Sequence, residues 1–151
     1  MTKILIIDDE DAIRASLKEI LEYEGHKVDE AQDGPTGVKS AEAGKYDVIF
    51  CDIKMPGMDG IEVLEKMKIS TVNTPIIMIS GHGDLETAVN TMRLGAFDYI
   101  SKPPDLNRLL NTVRNALDKK QLVVENKILK KKVSKNYKII GESEPINQIK
   151  L

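Results

Sequence analysis

Ile4-Leu5-Ile6-Ile7-Asp8-Asp9-Glu10 is the stretch on which the fold turns. Four apolar residues run without polar alternation, as in a strand buried on both faces, and three acids follow at once. Next comes a segment carrying Ile13, Leu17, Ile20 and Leu21 at helical spacing, closed by Gly25. Val28 to Ala31 is a weaker strand, and Gly34-Pro35 opens a second helix with Val38 and Ala41. The cycle then repeats. Val48-Ile49-Phe50-Cys51 reads as a strand, Ile61 to Met67 as a helix after Gly57 and Gly60, and Ile76-Ile77-Met78-Ile79 as a strand entered through Pro75. A helix holding Leu85, Val89 and Met92 ends at Gly95, and Phe97 to Ile100 is the last short strand. Such alternation predicts a doubly wound α/β domain around a parallel sheet. Its fifth helix starts after Pro103-Pro104, with Asp105 as cap, and carries Leu106, Leu109, Leu110, Val113 and Leu117.

The 151 residues carry 22 Lys plus Arg against 24 Asp plus Glu, a net charge of −2, which argues against a dedicated nucleic-acid-binding arm. With 41% hydrophobic and 30% charged residues, collagen-like, mucin-like and wholly disordered chains are excluded. The length suits one domain plus an appendage rather than two independent cores. Cys51 is the lone cysteine, so neither an internal disulfide nor a multi-cysteine zinc site can form, and a reducing compartment is implied. Asp8, Asp9, Glu10 and Asp11 directly behind the first apolar run leave no room there for a signal peptide or membrane span. A cytoplasmic protein without membrane contact is expected.

The polar groups fall at informative places. Asp8 and Asp9 follow the first apolar run, Asp52 the third and Ser80 the fourth, and Lys102 lies just past the fifth. In an open parallel sheet the carboxyl ends of the strands share one edge, where ligands bind. Five polar groups thus converge on one site. Carboxylates crowded into a crevice repel one another unless protons or a hard cation neutralise them. Mg²⁺ fits, because it takes oxygen ligands, usually one or two protein carboxylates plus water and phosphate oxygens, leaving one carboxylate free for chemistry. That carboxylate can attack phosphorus and form an aspartyl-phosphate. Lys102 offers a point charge for phosphate oxygens and Ser80 a hydroxyl donor, which completes the parts that phosphoryl transfer requires.

Each residue also has a plainer reading. Asp8-Asp9-Glu10 suits the positive end of a helix dipole, Asp52 an ordinary turn, Ser80-Gly81 a loop, and Lys102 before a proline the surface. Their conjunction at four strand ends is what sets the plainer reading aside. His26 and His82 neighbour glycines and lack partners at ligand spacing, so loop or surface roles are expected. Cys51 reads as a small buried hydrophobe, and Met55 and Met58 as cover for the site loop.

Ile4 to Glu10, Cys51-Asp52-Ile53-Lys54-Met55-Pro56-Gly57-Met58-Asp59-Gly60 and Gly95-Ala96-Phe97-Asp98-Tyr99-Ile100-Ser101-Lys102-Pro103 resemble, in order and spacing, the signature blocks of two-component response-regulator receiver domains. The resemblance covers about residues 1–120. It implies a flavodoxin-like, five-stranded parallel sheet of order 2-1-3-4-5. It also implies Asp52 as phosphoacceptor, Mg²⁺ held by Asp8, Asp9, Asp52 and the Lys54 backbone carbonyl, and Lys102 on the phosphoryl group. Ser80 would be the hydroxyl switch and Tyr99 the aromatic switch, and the Lys102–Pro103 peptide would be cis. The family often has Thr where this chain has Ser80; the hydrogen bond is kept and only the rotamer preference loosens.

Beyond Leu117 the helical pattern continues through Gln121, Leu122, Val124, Ile128 and Leu129. Residues 121–136 are expected to form an extended C-terminal helix that resembles a coiled-coil linker, although lysines at 120 and 127 interrupt its seam and leave dimerisation open. The Lys130-Lys131-Lys132 run reads as a solvated helix face. Ile139-Ile140-Gly141-Glu142-Ser143 followed by Ile146 resembles the opening of the AAA+ ATPase domain of NtrC-type activators of sigma-54-dependent transcription, and Ser80-Gly81-His82-Gly83 resembles a loop of that subfamily. Residues 137–151 are thus expected to be the truncated start of such a domain, without a phosphate-binding loop.

The expected function is that of a phosphoacceptor receiver rather than a dedicated enzyme. A histidine kinase would donate a phosphoryl group to Asp52, and movement of Ser80 and Tyr99 would alter dimer and linker packing. In the parent protein ATP, sigma-54 RNA polymerase and DNA would be partners of the remaining domains. A phosphohydrolase of the haloacid-dehalogenase type would share the acidic site but place a second Asp two residues after the nucleophile, where Lys54 stands here. A stand-alone or phosphorylation-independent receiver acting as a binding module is the alternative.

Overall fold

A computed structural model describes residues 2–70, 73–81, 85–102 and 104–118. The elements alternate along the chain as β1 (Lys3–Ile7), α1 (Asp11–Tyr23), β2 (Lys27–Ala31), α2 (Gly34–Ala43), β3 (Val48–Asp52), α3 (Gly60–Ser70), β4 (Ile76–Ser80), α4 (Leu85–Arg93) and β5 (Asp98–Ser101). A fifth helix, α5, runs over 106–118. All strand pairs are parallel, in the order β2-β1-β3-β4-β5, the flavodoxin-like arrangement expected. The 121–136 linker, the 137–151 segment, His82 and the Lys102–Pro103 peptide lie outside the described residues.

Unbroken apolar strands divide their side chains between two cores. Leu5, Ile7, Ile49, Cys51 and Met78 point to the side covered by Val63, Leu64 and Met67 of α3, with Val38 and Ala41 of α2 packed alongside. Ile4, Ile6, Val48, Phe50, Ile77 and Ile79 point to the other, against Leu17 and Leu21 of α1 and Leu109, Val113 and Ala116 of α5. The period of two along each strand thus feeds both faces with apolar surface. Asp33 caps α2 by accepting from the Thr36 amide at 2.8 Å, and Asp105 caps α5 through the Arg108 amide at 3.0 Å.

Two details differ from the sequence reading. In α4, Val89 and Met92 are each 44% exposed, whereas Thr91 is fully buried and donates its hydroxyl to the Ala88 carbonyl at 2.9 Å. The apolar spacing marks a helix correctly but marks its outer face, because a threonine that satisfies its own hydroxyl can be buried at low cost. Asp52, expected just past β3, is the strand's last residue and pairs with Ile79 of β4. Its place is fixed by a close approach: Gly60 donates its amide to the Ile53 carbonyl at 2.8 Å, and a Cβ at Gly60 would collide with the Asp52 carbonyl.

Candidate functional site

The carboxyl edge of the sheet gathers the polar groups named from sequence. Asp8 leaves β1 with its amide bonded to the Ala31 carbonyl of β2 at 3.1 Å, and Arg14 Nη1 of α1 donates to the Asp8 carbonyl at 2.6 Å. Asp52 ends β3, and the Ile53 amide after it donates to Ile79 of β4 at 2.9 Å. Ser80 ends β4 and accepts, through its carbonyl, the Lys102 amide at 2.8 Å. Backbone ladders thus deliver Asp8, Asp52 and Ser80, all buried, and Lys102 to one place. Tyr99 of β5 is half-buried and packs against the α3-side core.

Lys102 is the hub. Its Nζ lies 3.0 Å from Asp8 Oδ2, 3.3 Å from Asp52 Oδ2 and 2.6 Å from Glu10 Oε1. Three carboxylates therefore surround one ammonium. Burial pushes the Asp52 carboxyl up, the charge of Asp8 pushes it further, and Lys102 offsets only part of this, so that it titrates at about 7. A hydrogen bond with Asp9 acts in the same upward direction. For Lys102 burial acts to lower the ammonium, but Glu10, Asp8 and Asp52 prevail and raise it. It stays charged.

The donor set fits a hard cation. Oxygens of Asp8, Glu10 and Asp52 all lie within 4.8 Å of one another. Asp8 Oδ2 is fully buried and accepts no hydrogen bond, with Lys102 close enough to pair charge but not aligned to donate. A buried carboxylate oxygen left in that condition is what an oxygen-seeking divalent ion would satisfy. Asp9, expected among the ligands, is exposed and falls outside this group of three, whose third member is Glu10, to which sequence reasoning assigned no role. Its only sequence signal is a third consecutive acid at the helix start. Lys54 follows the strand with its side chain exposed, and lines a cleft of about 530 Å³ together with Met55, Pro56, Asp59 and Thr87. Met55 is buried and Met58 half-buried against the core, and the Cys51 thiol is buried and pushed up by desolvation first. His26 sits half-buried in the loop before β2.

Residues 4–114 match the response regulator receiver domain family. The chain belongs to that family. It is 37% identical over 143 residues to the C4-dicarboxylate transport transcriptional regulatory protein DctD of Pseudomonas aeruginosa, covering 93% of this chain and 30% of that protein. Among solved structures, a receiver domain protein from Clostridium thermocellum superposes with a TM-score of 0.76 at 35% identity, covering 82% of this chain and 99% of that one. NtrX from Brucella abortus in complex with ADP superposes with a TM-score of 0.80 at 34% identity, covering 95% of this chain and 31% of that one. The chain thus spans about a third of the length of DctD and of the nitrogen assimilation regulatory protein NtrX of Azorhizobium caulinodans. Among its described residues no helix is long and apolar enough to cross a membrane.

Proposed function

We propose that this receiver takes a phosphoryl group from a histidine kinase onto Asp52 and uses it to switch an attached output. The observation that carries this is the meeting of buried Asp8 and Asp52 with exposed Glu10 around Lys102, an excess of negative charge that structure alone has no use for. Asp8, Asp52, Asp9 and the Lys54 backbone carbonyl would hold Mg²⁺. When bound, the cation neutralises carboxylate and phosphoryl charge. Asp52, which without it shares a proton with solvent near neutral pH, must be ionised to attack. One Asp52 Oδ–P bond forms while the N–P bond of phosphohistidine breaks, and the imidazole leaves with the electron pair. Lys102 stabilises the transferring oxygens, and Ser80 donates its hydroxyl to one of them. Tyr99, two residues before Ser101 and paired with Met78, follows the Ser80 movement and reshapes the α4–β5–α5 surface.

This chain would be no dedicated enzyme; it assists gain and loss of its own phosphoryl group in the cytoplasm. By its likeness to DctD and NtrX, its parent would be a sigma-54 activator, with receiver residues 1–120, a 121–136 linker and an ATPase domain beginning within 137–151, and with ATP, sigma-54 RNA polymerase and DNA as partners of those other parts. A homodimer packed through the linker would carry the signal.

Intact-protein mass spectrometry after incubation with Mg²⁺ and acetyl phosphate tests the reading. One phosphoryl group should appear on the wild type and none on Asp52→Asn, and light scattering should record a change of dimer mass. No labelling of the wild type would overturn the phosphoacceptor assignment.

A further inference from the structure

Glu10 stands out because its side chain ignores the task its position offers. It is the N-cap residue of α1, yet makes no capping hydrogen bond with its side chain. Its carboxylate reaches instead across 92 positions of sequence to Lys102 Nζ at 2.6 Å, the shortest of the three contacts to that ammonium. An ammonium has three protons to donate, and Lys102 faces three carboxylates. Among the described hydrogen bonds Lys102 Nζ donates to Glu10 and not to Asp8, so a phosphoryl oxygen that reaches for this ammonium competes with Glu10 first. Asp8 and Asp52 are buried and fixed by the strands, and Asp52 is the group being phosphorylated. Glu10 is 58% exposed, so it alone of the three can turn into water at small cost.

Resting on the reading of Asp52 as acceptor, we propose that Glu10 is a built-in competitor of the phosphoryl group, holding Lys102 in the resting receiver and yielding it on phosphorylation. The exchange is of one anion for another on a single cation. It slows capture of a phosphoryl group from weak donors, and on hydrolysis Glu10 returns to Lys102. Glu10 acts here as a positioning residue, since it works through Lys102 rather than on the reacting atoms.

The test uses the full chain at saturating Mg²⁺, with acetyl phosphate as donor and initial rates read by intact mass. Glu10→Gln removes the charge at nearly constant size; Glu62→Gln, exposed on α3, makes the same change of net charge away from Lys102. Glu10→Gln should be labelled roughly two- to tenfold faster than wild type, the range expected for a charge-assisted contact with one exposed partner. Glu62→Gln should match the wild type in rate and, by calorimetry, in Mg²⁺ affinity. Equal rates for Glu10→Gln and wild type would overturn the inference. So would an equal acceleration by Glu62→Gln, which would reveal a general field, or slower labelling of Glu10→Gln with weakened Mg²⁺ binding, which would make Glu10 a ligand. If the wild type is not labelled at all, the acceptor reading falls and takes this inference with it.

Discussion

Around the segment that enters β3 the polar groups find matched partners; at the carboxyl end of the sheet they do not. The Lys3 amide donates to Asp47 Oδ2 at 2.9 Å while the Asp47 amide donates to the Lys3 carbonyl at 2.7 Å. The Tyr46 hydroxyl donates to Asp29 Oδ2 at 2.7 Å, and the Lys3 ammonium sits 5.0 Å from the Tyr46 ring centre. Each of these groups has a complement, and the result is stability. At the other end Asp8, Glu10 and Asp52 share Lys102, and one Asp8 oxygen accepts nothing. Buried charge left in surplus costs stability and is retained where it binds or reacts. The same strands thus end in opposite ways, and the contrast separates what holds the fold from what works on it.

The contrast breaks most sharply at its hub. Lys102→Met should slow phosphorylation of Asp52 about 100-fold, since a preorganised charge on the transferring oxygens is lost. Mg²⁺ should bind at least as tightly, because the competing cation is gone. Mass spectrometry and calorimetry on one preparation check both, and a parallel loss of Mg²⁺ affinity would show that Lys102 orders the site rather than serving the phosphoryl group.

A smaller effect should appear in stability. With its folded carboxyl raised to about 7 from 3.8, Asp52 binds more protons in the fold than in the unfolded chain across that window. Its contribution to stability is complete below the unfolded value and is lost as the pH rises through about 7. Without Mg²⁺, Asp52→Asn should therefore stabilise the receiver by roughly 1–3 kcal/mol at pH 8, and by little near pH 4. Urea denaturation in the presence of a chelator measures the gap, which excess Mg²⁺ should narrow in favour of the wild type.

The smallest effect belongs to the amino end. Tyr46→Phe should cost about 1 kcal/mol, the net worth of one buried hydrogen bond, and leave the phosphorylation rate alone. Burial, then the bond to Asp29, pushes the Tyr46 hydroxyl up to about 12, so the wild-type advantage should fade as the pH rises past 10 toward that value. An effect of Tyr46→Phe on labelling would erase the division between the two ends.

Much of the molecule is legible in its sequence. Unbroken apolar runs at Ile4–Ile7, Val48–Cys51 and Ile76–Ile79 identify strands buried on both faces, and the acids, hydroxyl and lysine just beyond them identify the working edge. Other features were hidden. The exposed Val89 and Met92 beside the buried Thr91 could not be told from a core stripe, because helical spacing reports a face and not which way it turns. Glu10 was indistinguishable from its acidic neighbours, as local pattern favours any acid at a helix start.

Sequence alone determined the alternation of elements and the placing of Asp8, Asp52, Ser80 and Lys102 at strand ends, since periodicity and chain breaks are properties of neighbouring residues. Only the tertiary structure decided that Glu10, not Asp9, joins Asp8 and Asp52 around Lys102, and that burial and the charge of Asp8 push the Asp52 carboxyl up to about 7. Coulomb energy and desolvation depend on distances of a few ångströms between groups far apart in sequence, and those distances exist only once the sheet has closed.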